Sequence, residues 1–309
     1  VMMISAVSVS MVSAQYDFAM TVGINLSNLD QSQQAEISVT FYPTDTSESP
    51  EVINDTIPAG GATKYFPVPV DDGFTGSVII NSSTEIAAIA NEVSDGYSGS
   101  YNGFSAGAQE FYTPIIMRNN GGYSTEISVQ NAGTGTASVG IDFIAGTHGT
   151  SYTMPDFNVE EGRAVRVYQG DMTQLGSRFV GSAKVTADKP VVVVVNQINN
   201  SNRTLLVYGG FAAGYTRVAV PQVQHANSGY NTGLQVQNVD PTDPVTVTVT
   251  YGPNVKPGGT SFTPGVEKAY IEAGETAVFN QWGNRHGYDW DAADPYVGAA
   301  VVSSEQGDI

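Results

Sequence analysis

Three carboxylates fall within six residues, at Asp289, Asp291 and Asp294. Aspartate oxygens at this density suit a hard cation such as calcium, although the run does not follow the EF-hand loop. No motif requires a cofactor, so calcium at these three residues is the one metal expectation. The same stretch carries Trp282, Tyr288, Trp290 and Tyr296. Rings on an acidic loop stack on sugars or anchor a protein interface, which makes them the expected ligand-binding residues. The plainer reading is a solvated acidic loop whose rings cover the end of a core. Asn-x-Ser/Thr triplets at Asn25, Asn54, Asn81, Asn199 and Asn202 are glycan acceptors if the chain is exported. Asn199 and Asn202 follow a Val-rich run in a polar connector and are expected to be the accessible pair.

Other chemistry is excluded by what is missing. The three histidines, His148, His225 and His286, share no spacing, and cysteine is absent. Thiolate zinc sites and disulfides are therefore ruled out, and no His-Glu-x-x-His run exists. Gly-x-Ser-x-Gly, a P-loop and a dinucleotide fingerprint are absent too, so the chain is read as a non-enzyme. Lys+Arg number 12 against 30 Asp+Glu, a formal charge of -18, which repels a phosphate backbone. No nucleic-acid partner is expected. No apolar run is long enough for a transmembrane helix. Charged residues are only 14% of the chain, leaving Ser, Thr, Asn, Gln, Gly and Tyr to supply most of the polar surface. That style is common in exported proteins, and an extracellular or cell-surface location is expected.

The elements that must hold these residues come from an internal repeat. Residues 111–131 and 218–238 share Pro114/Pro221, Tyr123/Tyr230, Thr125/Thr232 and Asn131/Asn238, each pair 107 apart. Ile24, Leu26 and Asn28 repeat as Ile127, Val129 and Asn131, and Phe74-Thr75-Gly76-Ser77 repeats as Phe179-Val180-Gly181-Ser182. Tyr296-Val297-Gly298-Ala299 is the third copy. The interval between turn glycines grows from 16 (Gly60 to Gly76) through 19 (Gly162 to Gly181) to 24 (Gly274 to Gly298). The extra residues in the third unit are those that carry the aspartates and the rings. Period-2 alternation such as Val139, Ile141, Phe143 gives short strands, and most connections are too short for parallel crossovers. The fold class is all-β, with three tandem antiparallel β-sandwiches at 1–104, 105–211 and 212–309. The Tyr123 and Tyr230 hydroxyls are expected to fasten strand corners. The Asn that ends each pattern is expected to hydrogen-bond a turn.

Alignment places Ile309 opposite Val192, so the third unit lacks most of its last strand. At the other end, counting back from Asn28 places the first strand at residues 7–11, with residues 1–4 as an apolar tail. A free strand and an unfilled sheet edge suggest head-to-tail strand donation. The expected polymerisation residues are Val1, Met2, Met3, Ile4, Val7, Val9, Asp308 and Ile309.

In the stretches 123–131 and 179–196 and their counterparts, the chain resembles the tandem immunoglobulin-like domains of prokaryotic surface and filament proteins. The resemblance is architectural and covers nearly the whole length. It implies an extracellular structural subunit of a filament, stalk or coat, self-associating into a filament or array. The alternative is a carbohydrate-binding or adhesive module acting on a surface glycan or protein receptor through the long loop of the third unit.

Overall fold

The computed structural model describes residues 2–8, 20–71, 73–94, 97–305 and 307–309, with side chains in all of these except 2–8 and 284–285. It is an all-β fold of several antiparallel sheets. The first section contains β1 (Met2–Ser8), β2 (Thr21–Asn28), β3 (Ala35–Pro43), β4 (Glu51–Ile57), β5 (Ala62–Tyr65), β6 (Thr75–Ser82), β7 (Ile86–Ser94) and β8 (Tyr97–Asn102). They form two sheets, β1-β6-β3-β4 and β5-β2-β7-β8. Alternation decides which face is apolar: Ile37, Val39 and Phe41 of β3 and Val22, Ile24 and Leu26 of β2 all enter one core.

The second section contains β9 (Ala108–Arg118), β10 (Ser124–Asn131), β11 (Ala137–His148), β12 (Tyr152–Val159), β13 (Ala164–Tyr168), β14 (Phe179–Asn199) and β15 (Thr204–Gly209). β14 belongs to both layers. Its part 179–187 lies between β9 and β11, and its part 191–199 lies between β10 and β15. In the first section these roles fall to two strands, β6 and β7. The sequence predicts a turn at Asp188-Lys189-Pro190, but the chain passes through it as strand. Proline gives up only a donor there, and its carbonyl still accepts from Ala132 N at 2.9 Å.

The third section contains β16 (Arg217–His225), β17 (Gly233–Gln237), β18 (Val245–Tyr251), β19 (Glu267–Ile271), β20 (Thr276–Asn280), β21 (Asn284–Arg285), β22 (Tyr288–Asp289) and β23 (Tyr296–Ser304). The sheet β16-β23-β18-β19 matches its counterparts, but the second layer is only β17-β20 among the described residues.

An aromatic–glycine pair marks the same position in each section. The rings of Phe74, Phe179 and Tyr296 fold over Gly76, Gly181 and Gly298, where a Cβ would collide with the ring. The aromatic-x-Gly spacing is thus a packing rule.

Apolar side chains gather in three cores, one per section, yet the sections are not cleanly separated. Val194 of β14 is buried in the first core, and Phe104 packs against both the first and second cores. A further cluster joins Met20 and Tyr97 to Ile198 and Leu205. Every residue of β10 is buried: Ile127 and Val129 face their own core, while Glu126, Ser128 and Gln130 point the other way.

Two expectations about the ends need correction. Residues 7–11 were the expected first strand and 1–4 a free tail. Instead β1 is Met2–Ser8, paired within its own chain: Met2, Met3 and Ile4 oppose Ile80, Ile79 and Val78, and Val7 opposes Gly76. The spacing differs between the sections: Val7, opposite Gly76, lies 21 residues before Asn28, whereas Ile116, opposite Gly181, lies 15 before Asn131. Val1 and Val9 lie outside the described residues. At the other end, Ile309 corresponds to Val191 and not Val192. Val239 N donates to Asp308 O at 3.2 Å as Ala132 N does to Pro190 O, and Ile309 exchanges main-chain bonds with Tyr215.

Candidate functional site

The residues brought together most consistently lie where one section meets the next. Ser77 Oγ donates to the carbonyl of Gly162 at 2.6 Å, and Ser182 Oγ donates to the carbonyl of Gly274 at 3.0 Å. The same two carbonyls accept from Gln130 Nε2 at 3.1 Å and Gln237 Nε2 at 3.4 Å. Both glycines sit at positive φ, 76° and 72°, which turns the carbonyl toward the preceding section. Ser77 and Gln130 are 0% exposed, Ser182 is 0% and Gln237 is 4%. One latch of serine, glutamine and glycine therefore closes both joints. Gln235 Nε2 adds bonds to Pro114 O and, at 3.1 Å, to Gly181 O.

The first joint has further polar groups. Arg163 is 8% exposed and donates to the carbonyls of Pro43, Asp45 (2.9 Å) and Glu48 (2.7 Å). Its counterpart in the third section is Glu275, so this clamp is not repeated. Glu92 on β7 is 2% exposed and accepts from Asn196 Nδ2 at 2.9 Å. Burial, reinforced by the nearby charge of Glu126, pushes its carboxyl up to about 8. Glu126 itself is held by Arg166 through two bonds of 2.9 Å.

The loop of the third section is not a ligand surface as a whole. Trp290 and Tyr296 are both 0% exposed, which corrects their expected role in ligand binding. Trp290 stacks edge-on to Tyr251 and Tyr288 and beside His225, and its indole N–H donates to Glu267 Oε2 at 3.2 Å. Tyr251 O–H donates to the same oxygen and accepts from Gln281 Nε2 at 2.9 Å, and His225 Nδ1 lies 2.6 Å from Gln281 O. Burial and Glu267 hold the Tyr251 phenol far above its ordinary value. These rings close the core, and a buried indole needs a polar partner there. Tyr288 is half-buried, while Trp282 is 43% exposed.

The three aspartates are not brought together. Asp289 Oδ1 accepts from Asp291 N at 3.2 Å, Asp291 Oδ1 from Gly283 N at 2.8 Å, and Asp294 Oδ2 from Thr260 Oγ1 at 2.7 Å. No group of three metal-binding side chains occurs among the described residues. Of the glycan triplets, Asn25, Asn54, Asn81 and Asn202 are exposed. Asn199 is not. It is 1% exposed, with Nδ2 donating to Gly121 O at 3.2 Å and Oδ1 accepting from Asn202 N at 3.0 Å. That corrects its expected accessibility.

The repeated asparagines do tie turns. Asn131 Nδ2 donates to Gly135 O at 2.7 Å and Val159 O at 2.9 Å, while Oδ1 accepts from Gly133 N at 2.8 Å. Asn28 and Asn238 make the same pattern. The tyrosine corners are closed by the main chain. Asn120 pairs with Tyr123 and Asn227 with Tyr230 through reciprocal bonds, and Tyr230 is 71% exposed. Sequence reasoning missed the latch, although its residues were inside the aligned stretches. The signal was identical glutamines at 130 and 237, on outward strand positions where a solvent face would vary.

No protein-family model matches the sequence, and no curated protein matches it. A solved structure described as the crystal structure of Thermotoga maritima 1070 is 16% identical, with TM-score 0.30, over 35% of this chain and 96% of that one. A likeness of that size carries no inference.

Proposed function

We propose that the chain is a structural spacer, an extracellular or surface array of three immunoglobulin-like sandwiches in a filament, stalk or coat. The observation that supports this best is the repeated latch. Linked domains move relative to one another by default unless their interface restrains them. Here each joint has hydrogen bonds of the same kind from buried side chains, at matched positions. A binding protein has no need to repeat its joints, whereas a spacer does, because its product is a fixed distance. The acidic surface, with a formal charge of -18, favours solubility and discourages indiscriminate association.

Electron microscopy of the purified chain tests this reading. Particles of one length and one profile are expected. Particles bent at variable angles between sections would overturn it. The glycan alternative now depends on Trp282 and Tyr288, since the other two rings are buried. A glycan array on the wild type and on Trp282→Ala separates the readings: the spacer gives no saturable binding in either, and the adhesive module gives binding that Trp282→Ala abolishes.

A further inference from the structure

The two joints differ beside the latch. Tyr42 and Ile144 hold the same strand position, each following a buried phenylalanine, Phe41 or Phe143. A Cβ on Gly162 would strike the Tyr42 ring, whereas one on Gly274 would meet only the tip of Ile144. Beside this shorter side chain lies a pocket of about 180 Å³. It is walled by β9, β11 and β14 on one side and by 237–241 and 273–274 on the other. A cavity of roughly 150 Å³ is enough to admit a benzene-sized molecule. The latch glutamine is part of the wall: Gln237 is 4% exposed, and its Oε1 is buried without a hydrogen-bond partner. Gln130 Oε1 is buried in the same way at the first joint, but there the Tyr42 ring lies against the latch glycine. Only at the second joint does this pocket give a ligand a way to reach the latch oxygen.

The polar groups of this pocket offer acceptors and few donors. Gln237 Nε2 donates to Gly274 O, and Asn238 Nδ2 donates to the carbonyls of Asp243, Ile271 and Glu272. Lys184 is held by Glu110 at 2.9 Å. Among the described residues, Asp142 and Asp240 accept protein donors through Oδ1 alone, from Thr153 and from Thr242 and Asp243. The N–H groups of Asp243 and Thr242 hold the Asp240 carboxyl below its ordinary value, so it is charged at neutral pH. Two carboxylates therefore share the pocket with one ammonium that is already paired, and Ile144, Val239 and Tyr112 supply apolar wall. A small pocket of this kind orients its ligand through a few placed polar groups. We infer that the pocket binds a primary ammonium on a short apolar stem. The ammonium N–H groups satisfy Gln237 Oε1 and pair with the acidic rim, and the stem lies on Ile144 and Val239. This proposal stands apart from the spacer reading, since the latch bonds form without the ligand.

The test titrates the whole chain with n-butylammonium and follows it by nuclear magnetic resonance. The expected result is saturable binding at millimolar concentration, with shifts at the Gln237 side-chain amide and around Gly274. No saturable response to n-butanol or glucose is expected at the same concentrations. N-acetyl-lysine amide carries the same group on a main chain. If it binds as well, the natural source is a lysine of a partner; if it does not, the source is a free amine. Asp240→Asn keeps the oxygen that accepts from Thr242 and Asp243, and it should weaken binding by about tenfold or more. Ile144→Tyr gives the second joint the side chain that the first joint carries, and it should abolish binding. Three results would overturn the proposal. They are no saturable response to n-butylammonium, an equal response to n-butanol or glucose, or binding that neither variant weakens.

Discussion

At the residue scale, the repeated asparagines show how little sequence is needed to fix a turn. Asn131 holds the distant, buried carbonyl of Val159 together with a carbonyl and an N–H of its own turn, at Gly135 and Gly133. Asn131→Ala leaves those groups without partners, and a loss of roughly 2–3 kcal/mol is expected. Chemical denaturation measures it, with exposed Asn25→Ala as the control that should stay within about 0.5 kcal/mol. Glu92 is different because its effect depends on pH. Its folded-state value of about 8 lies above the ordinary 4.5, so the folded chain keeps a proton that the unfolded chain releases between those values. The resulting stability is complete below 4.5 and is lost as pH rises through about 8. The charges facing it are Glu126 and Arg166, with Asn196 as a neutral partner. Glu92→Gln should keep the Asn196 bond and flatten the melting temperature between pH 5 and 9, with the variant the more stable at the alkaline end. A wild-type melting temperature that does not fall over that range would contradict the assignment. The asparagines were legible because one side chain and its own neighbours make most of the bonds. The burial of Trp290 was not, since it depends on Tyr251 and His225, which no local pattern connects to it.

At the element scale, the corners at 119–122 and 226–229 repeat in detail. Met117 N donates to Thr125 Oγ1 at 3.1 Å, and Gln224 N donates to Thr232 Oγ1 at 2.9 Å. The left-handed positions recur as well: Asn119 and Ala226 at φ 49° and 47°, then Gly121 and Ser228 at 60° and 52°. Glycine fits that conformation without penalty, whereas serine does so at a cost. Ser228→Gly should therefore stabilise the third section by about 0.5–1 kcal/mol, read as a higher denaturation midpoint at an unchanged slope. A lower midpoint would mean that Ser228 makes a contact worth more than the strain. Strand identities were legible from alternation and from the constant 107-residue spacing. The place of β1 was not, because Val7 stands further from Asn28 than its counterpart Ile116 does from Asn131. The merging of two strands into β14 was equally hidden, because Asp188-Lys189-Pro190 has the composition of a turn and is used as strand.

At the scale of the whole molecule, the repeat governs how sections meet as well as how each folds. Gly162 and Gly274 offer their carbonyls to a serine of the preceding section, and the third copy of that serine is Ala299, which is exposed. The latch is therefore written into the two internal joints. Its residues lay in plain view in the aligned segments, but alignment alone places a residue on a strand face and does not say what that face meets.

The stiffness of the second joint is the quantity on which the spacer reading rests. The chain has no cysteine, so spin labels can be attached at Asn158→Cys and Ser261→Cys, both exposed and on either side of that joint. The distance distribution between the labels, measured by pulsed electron resonance, should be one narrow peak. It should broaden when Ser182→Ala and Gln237→Ala remove the latch. A distribution already broad with the latch intact would contradict a rigid array.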